Sequence, residues 1–314
     1  MNRCVRTFCI FFLVISCVGS SHAQQNDEAD PPLWVAVQAH YYTIAKNLLD
    51  DGADPNTHSS SHESPLFLAV DSDDTTMVLL LLDHHANMYD TAPGGNLIGE
   101  VAAISHSLHS LEILYRYGYP LTIRNSQNRS LLSTAVGQGS YQIVEYILQH
   151  GGNVNDTDAF GYSLLMNAVN LDITGTGDTA MVSLLLRAGA DPNKPDSKSF
   201  YPIYDAVSSV ENVPRFVFEI SDKGVPYKDS STFTLRQNTH RRVMELLLKA
   251  GAHPNVEDHP GGTPLWLAVK NCDTETVTLL LHYGASEKAL SSKGQYVLEK
   301  AKTNACEEVR QLLQ

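Results

Sequence analysis

Residues 264–285 read PLWLAVKNCDTETVTLLLHYGA, and residues 32–53 read PLWVAVQAHYYTIAKNLLDDGA. The two stretches share most of their apolar, proline and glycine positions while their polar positions differ. A small alanine sits inside the first apolar run of each, Ala36 and Ala268. Followed along the chain, that alanine recurs at Ala69, Ala102, Ala135, Ala168, Ala206 and Ala301, with spacings of 33, 33, 33, 33, 38, 62 and 33 from the first to the last. Eight units result, two of them enlarged. Three residues before each alanine stands Leu33, Leu66, Gly99, Leu132, Leu165, Ile203, Leu265 or Leu298, so seven of the eight carry an apolar side chain one helical turn away.

One unit makes physical sense as two antiparallel helices. Proline opens the first helix, where its missing N–H had no partner to lose. Alanine lets a neighbouring helix approach closely. Beyond a short polar turn, Ile44, Leu48 and Leu49 recur at helical spacing, as do Met77, Leu81 and Leu82, and Ile143, Ile147 and Leu148. Gly52, Gly118, Gly151, Gly189, Gly251 and Gly284 then end the second helix in a left-handed conformation, with His85 in the same place in unit two. Asp54-Pro55-Asn56 and Asp191-Pro192-Asn193 turn the chain outward. Helices this short cannot bury their apolar faces alone, so the units must stack, which predicts an all-α solenoid of about eight helix-turn-helix units.

With the 33-residue period, Thr263-Pro264-Leu265-Trp266-Leu267-Ala268 resembles the T-P-L-H-x-A signature of ankyrin repeats, and Gly189-Ala190-Asp191-Pro192-Asn193 fits the same family. The resemblance covers residues 31–314. It implies a non-enzymatic module that grips another protein with its turn tips and first helices.

Ahead of the repeats, residues 1–23 read as a secretory signal: Arg3 and Arg6, an apolar run from Cys9 to Val18, then Ser21-His22-Ala23. That run is too short for a comfortable transmembrane span, so a retained anchor is the weaker reading. Val14-Ile15-Ser16-Cys17 also resembles a bacterial lipobox, which would put a lipid on Cys17 and make the protein an outer-membrane lipoprotein. Residues 24–30 form a linker. Without the signal, two of the five cysteines remain, and 20 basic residues face 35 acidic ones. An acidic surface argues against nucleic acid or anionic lipid as the main partner. The expected location is a bacterial periplasm, or outside the cell. The expected role is binding or inhibiting a partner protein, with an immunity protein against a toxin-like enzyme and a lipid-anchored envelope scaffold as the alternatives.

Departures from the period mark individual features. Gly99 replaces the inner leucine of unit three, so its first helix is expected to be frayed. The last unit, from Tyr296, reads as a polar C-terminal cap ending on Val309, Leu312 and Leu313. A five-residue insertion around Ile173 to Gly177 reads as a flexible loop, its G-x-G being a weak phosphate signal without a preceding strand. A second insertion of 29 residues, about 210–238, carries alternating stretches at Arg215 to Ile220 and Thr232 to Arg236, the pattern of a small β-hairpin or extended flap. From Ser209 to Arg242 the chain has six basic and four acidic residues, a basic patch on an acidic protein. Arg215, Phe216, Phe218, Phe233 and Arg236 are therefore candidate contacts. Trp34, Phe67, Tyr204 and Trp266, two residues before the marker alanine, are either interface anchors or inter-repeat packing.

Signals for chemistry are thin. No H-E-x-x-H, C-x-x-C or G-x-S-x-G occurs, and the histidine pairs do not form a metal pattern with cysteines or carboxylates, so no catalytic, metal or cofactor site is expected. Cys272 and Cys306 lie near the same turn of adjacent units, at an expected 8–10 Å between packed helices, which is long for a disulfide.

Overall fold

The computed structural model describes residues 30–313 apart from 93, 159–160, 171–177, 213–216, 221–225, 258–261, 289–296, 298 and 300–305, with side chains described outside 208–238. The signal peptide, nearly all of the linker, the loop around Ile173 to Gly177, and Leu298 and Ala301 lie outside the described residues.

The chain divides into two compact units, residues 1–152 and 153–314. In the first, inner helices of seven residues alternate with outer helices of nine: α1 (Pro32–Gln38), α2 (Tyr42–Asp50), α3 (Pro65–Asp71), α4 (Thr75–Asp83), α5 (Ile98–Ile104), α6 (Leu108–Arg116), α7 (Leu131–Gly137) and α8 (Tyr141–Gln149). Each inner helix packs on its own outer helix and on the next inner one, and α2, α4, α6 and α8 stack in turn. The period is thus the spacing of one layer. Ala36, Ala69, Ala102 and Ala135 are at most 1% exposed, because the inner helices meet across them. Met77, Leu81, Ile143 and Ile147 line the outer-helix side of the same core.

The second unit contains α9 (Leu164–Asn170), α10 (Thr179–Arg187), α11 (Pro202–Asn212), strands β1 (Val217–Ile220) and β2 (Pro226–Asp229), α12 (Ser230–Lys249), α13 (Pro264–Lys270), α14 (Thr274–His282) and α15 (Glu307–Leu312). Here α9 packs on α10 and α11, α11 on α12 and α13, and α14 on α13 and α15. In the last layer Val309 and Leu313 are buried and Leu312 is exposed. Helix starts are fixed by acceptors in the turns: Asp178 takes the Ala180 and Met181 amides, Asp273 that of Thr276, and Thr263 that of Trp266.

Three expectations change. Helix α5 is a full seven residues despite Gly99. The missing leucine volume is filled by Tyr119, which is fully buried, and the Gly99 N–H donates to its hydroxyl oxygen at 3.2 Å. A β-carbon on Gly99 would stand 2.7 Å from Tyr119 Cε1, so glycine here makes room for a ring from the following turn. In the insertion, β1 falls within the expected first strand and pairs antiparallel with β2, Phe218 opposite Lys228. Thr232 to Arg236, however, is helix: it belongs to an outer helix of 20 residues instead of nine, since the main chain after Asp229 meets no third strand among the described residues and continues as the N-terminal turns of α12. Finally, Cys272 and Cys306 are bridged, their α-carbons 5.8 Å apart. The residues flank helix starts in the inner-to-outer turns, where a left-handed backbone at Cys272 aims its side chain at the next layer, and the helix-axis spacing does not govern them.

Candidate protein-interaction surface

Two ladders of side chains hold neighbouring repeats in register and thereby set the surface they present. The first runs through the asparagine four residues after the glycine that ends an outer helix, as in the two Asp-Pro-Asn turns. In the second unit Asn155 Oδ1 accepts the Asp191 amide at 2.8 Å, Asn193 Oδ1 that of His253 at 2.8 Å, and Asn255 Oδ1 that of Ser286 at 2.6 Å. Each of these amides also donates its Nδ2–H to the carbonyl of the glycine that ends the next outer helix: Gly189, Gly251 and Gly284. Left-handed glycine leaves that carbonyl free to accept. Asn56 begins the same pattern in the first unit by accepting the Asn87 amide at 2.7 Å.

The second ladder is made of histidine and acid pairs in the first unit. His40 meets Asp74 at 2.9 Å, His58 meets Asp90 at 2.7 Å, His109 meets Asp73 at 2.9 Å and His84 lies 3.6 Å from Asp50. Every pair joins consecutive layers. The hydrogen bond and charge of Asp73 raise the His109 pKa. Burial acts to raise the Asp73 carboxyl, yet the hydrogen bonds from Ser110 and His109 hold it below the usual carboxylate range. His40, His58, His84 and His109 are thus carboxylate partners, and among the described residues no group of three or more His, Cys, Asp or Glu could hold a metal ion.

Inside the stack, polar groups take over the aromatic position. Glu100 stands where other layers have Trp34 or Phe67, is 2% exposed, and accepts from the Leu97 amide, Asn125 Nδ2 and Thr134 Oγ1 at 2.9–3.0 Å. In the second unit Asn170 Nδ2 donates to Asp205 Oδ2 at 3.0 Å. Burial, with a smaller contribution from the Asp196 charge, raises the Asp205 carboxyl to about 6 against the pull of that hydrogen bond.

The candidate contact residues separate into groups. Trp34 and Phe67 are 6% and 4% exposed, which makes them packing residues between layers. Tyr204 and Trp266 are half-buried, and the Lys270 ammonium lies 5.9 Å from the Trp266 ring centre. Phe218 lies on β1, and Phe233 and Arg236 lie on the N-terminal part of α12, while Arg215 and Phe216 are outside the described residues. At the turn tips, His58 is tied to Asp90 and Asn128 has φ of 59°. The structure adds an aromatic cluster that periodicity did not single out: Tyr115, Tyr146 and His150 on the outer helices and the turn after α8, with ring centres 4.2–6.1 Å apart and Tyr115 exposed. Its signal in the sequence was the aromatic content at outer-helix positions that elsewhere hold charged or aliphatic residues.

The ankyrin-repeat family model (three copies) matches residues 3–92 and 100–196, and the single-repeat model matches residues 261–290. The human transient receptor potential cation channel subfamily A member 1 is 25% identical over 83% of this chain and 24% of its own length. The chicken nuclear factor NF-kappa-B p105 subunit is 28% identical over 60% of the chain and 19% of its own. The chain therefore spans about a quarter or less of these curated relatives. The solved ankyrin repeat domain of Bcl-3, a member of the IkappaB protein family, superposes with a TM-score of 0.63 at 20% identity, over 81% of this chain and 100% of that one, a likeness of fold. The repeat period, the layered helix pairs and the family match together place this chain in the ankyrin-repeat family, whose repeats form protein-interaction modules and are in general non-catalytic scaffolds.

Proposed function

We propose that this protein is exported from the cytoplasm and binds a partner protein there through its sixth repeat, without catalysing a reaction. The observation that carries the reading is how the insertion is built. Helix α11 is four residues longer than the other inner helices and α12 eleven longer than the other outer ones, with the β1–β2 hairpin between them. Eleven helical residues extend about 16 Å. The repeat stack needs none of this length to close its core, and within 210–238 four basic residues balance four acidic ones in an otherwise acidic chain. Export is supported by the order of residues 1–23 and by the Cys272–Cys306 bridge, since disulfides persist in oxidising compartments. Inhibition of a toxin-like enzyme, or scaffolding of an envelope protein, would both use such a contact.

The test replaces Val210 to Asn238 with a short polar turn and compares partner capture from an envelope extract by parent and variant. The fold should survive, because stability in a repeat stack is nearly a sum of unit and neighbour contributions. Helical circular dichroism should be kept while the captured partner is lost. Retention of the partner by the shortened chain, with loss on changing His58 or Asn128 at the turn tips, would move the contact to the tips and inner helices. The mass of the mature chain separates cleavage after Ala23 from acylation at Cys17.

A further inference from the structure

The turn between inner and outer helix carries, four places after the marker alanine, a residue with positive φ: His40 at 55°, Asp73 at 51°, His106 at 57°, Gly139 at 67° and Cys272 at 59°. Where this residue has a side chain, it reaches the next layer. His40 bonds to Asp74, and His106 Nδ1 donates at 2.7 Å to Ser140 Oγ, whose own proton goes to the Ala103 carbonyl; in both pairs the partner is 34 residues on. Asp73 instead takes the amide and hydroxyl of Ser110 and the ring of His109. Cys272 stands in the same slot, and its partner, again 34 residues on, is Cys306.

A covalent bond thus occupies the place of a hydrogen bond at the last junction of the second unit. A thiol is a weak donor and acceptor, so once reduced this junction loses the tie that the His40, Asp73 and His106 junctions have, while Cys272 keeps a backbone conformation that glycine adopts most freely. Cys306 is also the residue that starts α15, a helix of six residues and too short to persist without its neighbours. Both cysteines are half-buried, within reach of small thiol reagents.

We propose that Cys272 and Cys306 form a reversible redox lock on α15: the disulfide holds the helix against α14, and thiol–disulfide exchange releases it. In closing, the thiolate of one cysteine attacks the disulfide of an oxidant such as glutathione disulfide or an oxidoreductase, forming a mixed disulfide and expelling one thiolate. The second cysteine's thiolate then displaces the other half of the oxidant. One protein disulfide forms, the oxidant disulfide becomes two thiols, and the two protons lost by the cysteines go to the departing thiolates. Opening is the same exchange with a dithiol reductant.

Hydrogen exchange read by mass spectrometry on the full chain, oxidised with glutathione disulfide or reduced with a phosphine, tests the lock. Reduction should speed exchange in Glu307–Leu313, and to a lesser degree in Thr274–His282, by on the order of a hundredfold or more, leave residues 30–152 unchanged, and be undone by reoxidation. The double variant Cys272→Ser/Cys306→Ser should exchange fast with or without reductant. Cys272→His/Cys306→Asp, which copies the His40–Asp74 pair, should show partial protection that reductant does not alter. Equal exchange in both redox states would overturn the proposal. So would loss of protection throughout the second unit, or a native disulfide that the phosphine cannot reduce until the chain is unfolded, as read by alkylation.

Discussion

Exchanging the partners at Gly99 and Tyr119 measures how the third layer compensates for its missing leucine. Gly99→Ala places a β-carbon 2.7 Å from Tyr119 Cε1, 3.0 Å from its hydroxyl oxygen and 3.1 Å from Leu131 Cδ2. Forcing extra volume into a packed core costs roughly 1–3 kcal/mol, against about 1 kcal/mol that alanine returns in helix preference over glycine. The single change should therefore destabilise by about 1 kcal/mol. Tyr119→Ala empties the space over α5 and should cost about 3–5 kcal/mol, as large-to-small aromatic changes do. Gly99→Leu/Tyr119→Ala recreates the arrangement of the second layer, where Leu66 stands in the helix and Ala86 after the turn. The double variant should lie within about 2 kcal/mol of the parent, giving a coupling of at least about 2 kcal/mol between changes that are separately harmful. Tyr119→Phe isolates the hydrogen bond to the Gly99 amide, at a cost of about 1 kcal/mol. Guanidinium unfolding followed by circular dichroism of the parent, Gly99→Leu, Tyr119→Ala and the double variant supplies the four corners of the cycle, Gly99→Leu costing at least as much as Gly99→Ala. If the double variant loses the sum of the two single losses, Tyr119 is not what fills the leucine space.

Two further outcomes rest on local geometry. His85 has φ of 66° where six other outer helices end in glycine, so His85→Gly should stabilise by about 1 kcal/mol; an unchanged or lower melting temperature would show that the left-handed conformation costs His85 nothing here. Asp205 titrates at about 6 in the folded chain against 3.8 ordinarily, so the folded state binds more protons there than the unfolded state between those values. Its ionisation costs stability as pH rises from 4 through 6, and the cost persists above. Asp205→Asn should therefore stabilise by on the order of 1–2 kcal/mol at pH 7 and by nearly nothing at about pH 3, where both states are protonated. A stability difference independent of pH, measured by denaturant unfolding at both values, would place the Asp205 titration elsewhere.

The sequence by itself determined the period, the helix pairs and the family, because each depends on requirements met within one unit. A buried alanine, an opening proline and a helix-ending glycine are imposed by contacts every layer makes with an identical neighbour, so they repeat and can be counted. Left-handed geometry at His85 and the first strand of the insertion were legible from local pattern alone. Tertiary structure decided what depends on a single contact between particular layers. Gly99 reads as a helix breaker until Tyr119, 20 residues later, is seen to occupy its empty side. Cys272 and Cys306 look too distant when helix-axis spacing is the ruler, and are in reach because the chain leaves the helix in a left-handed turn. Thr232 to Arg236 alternates like a strand, yet with no further strand to pair it among the described residues the main chain satisfies its hydrogen bonds as helix. Trp34 and Phe67 share a position with Glu100, and burial between layers, which no single unit encodes, is what makes the first two packing residues and gives the third its three donors.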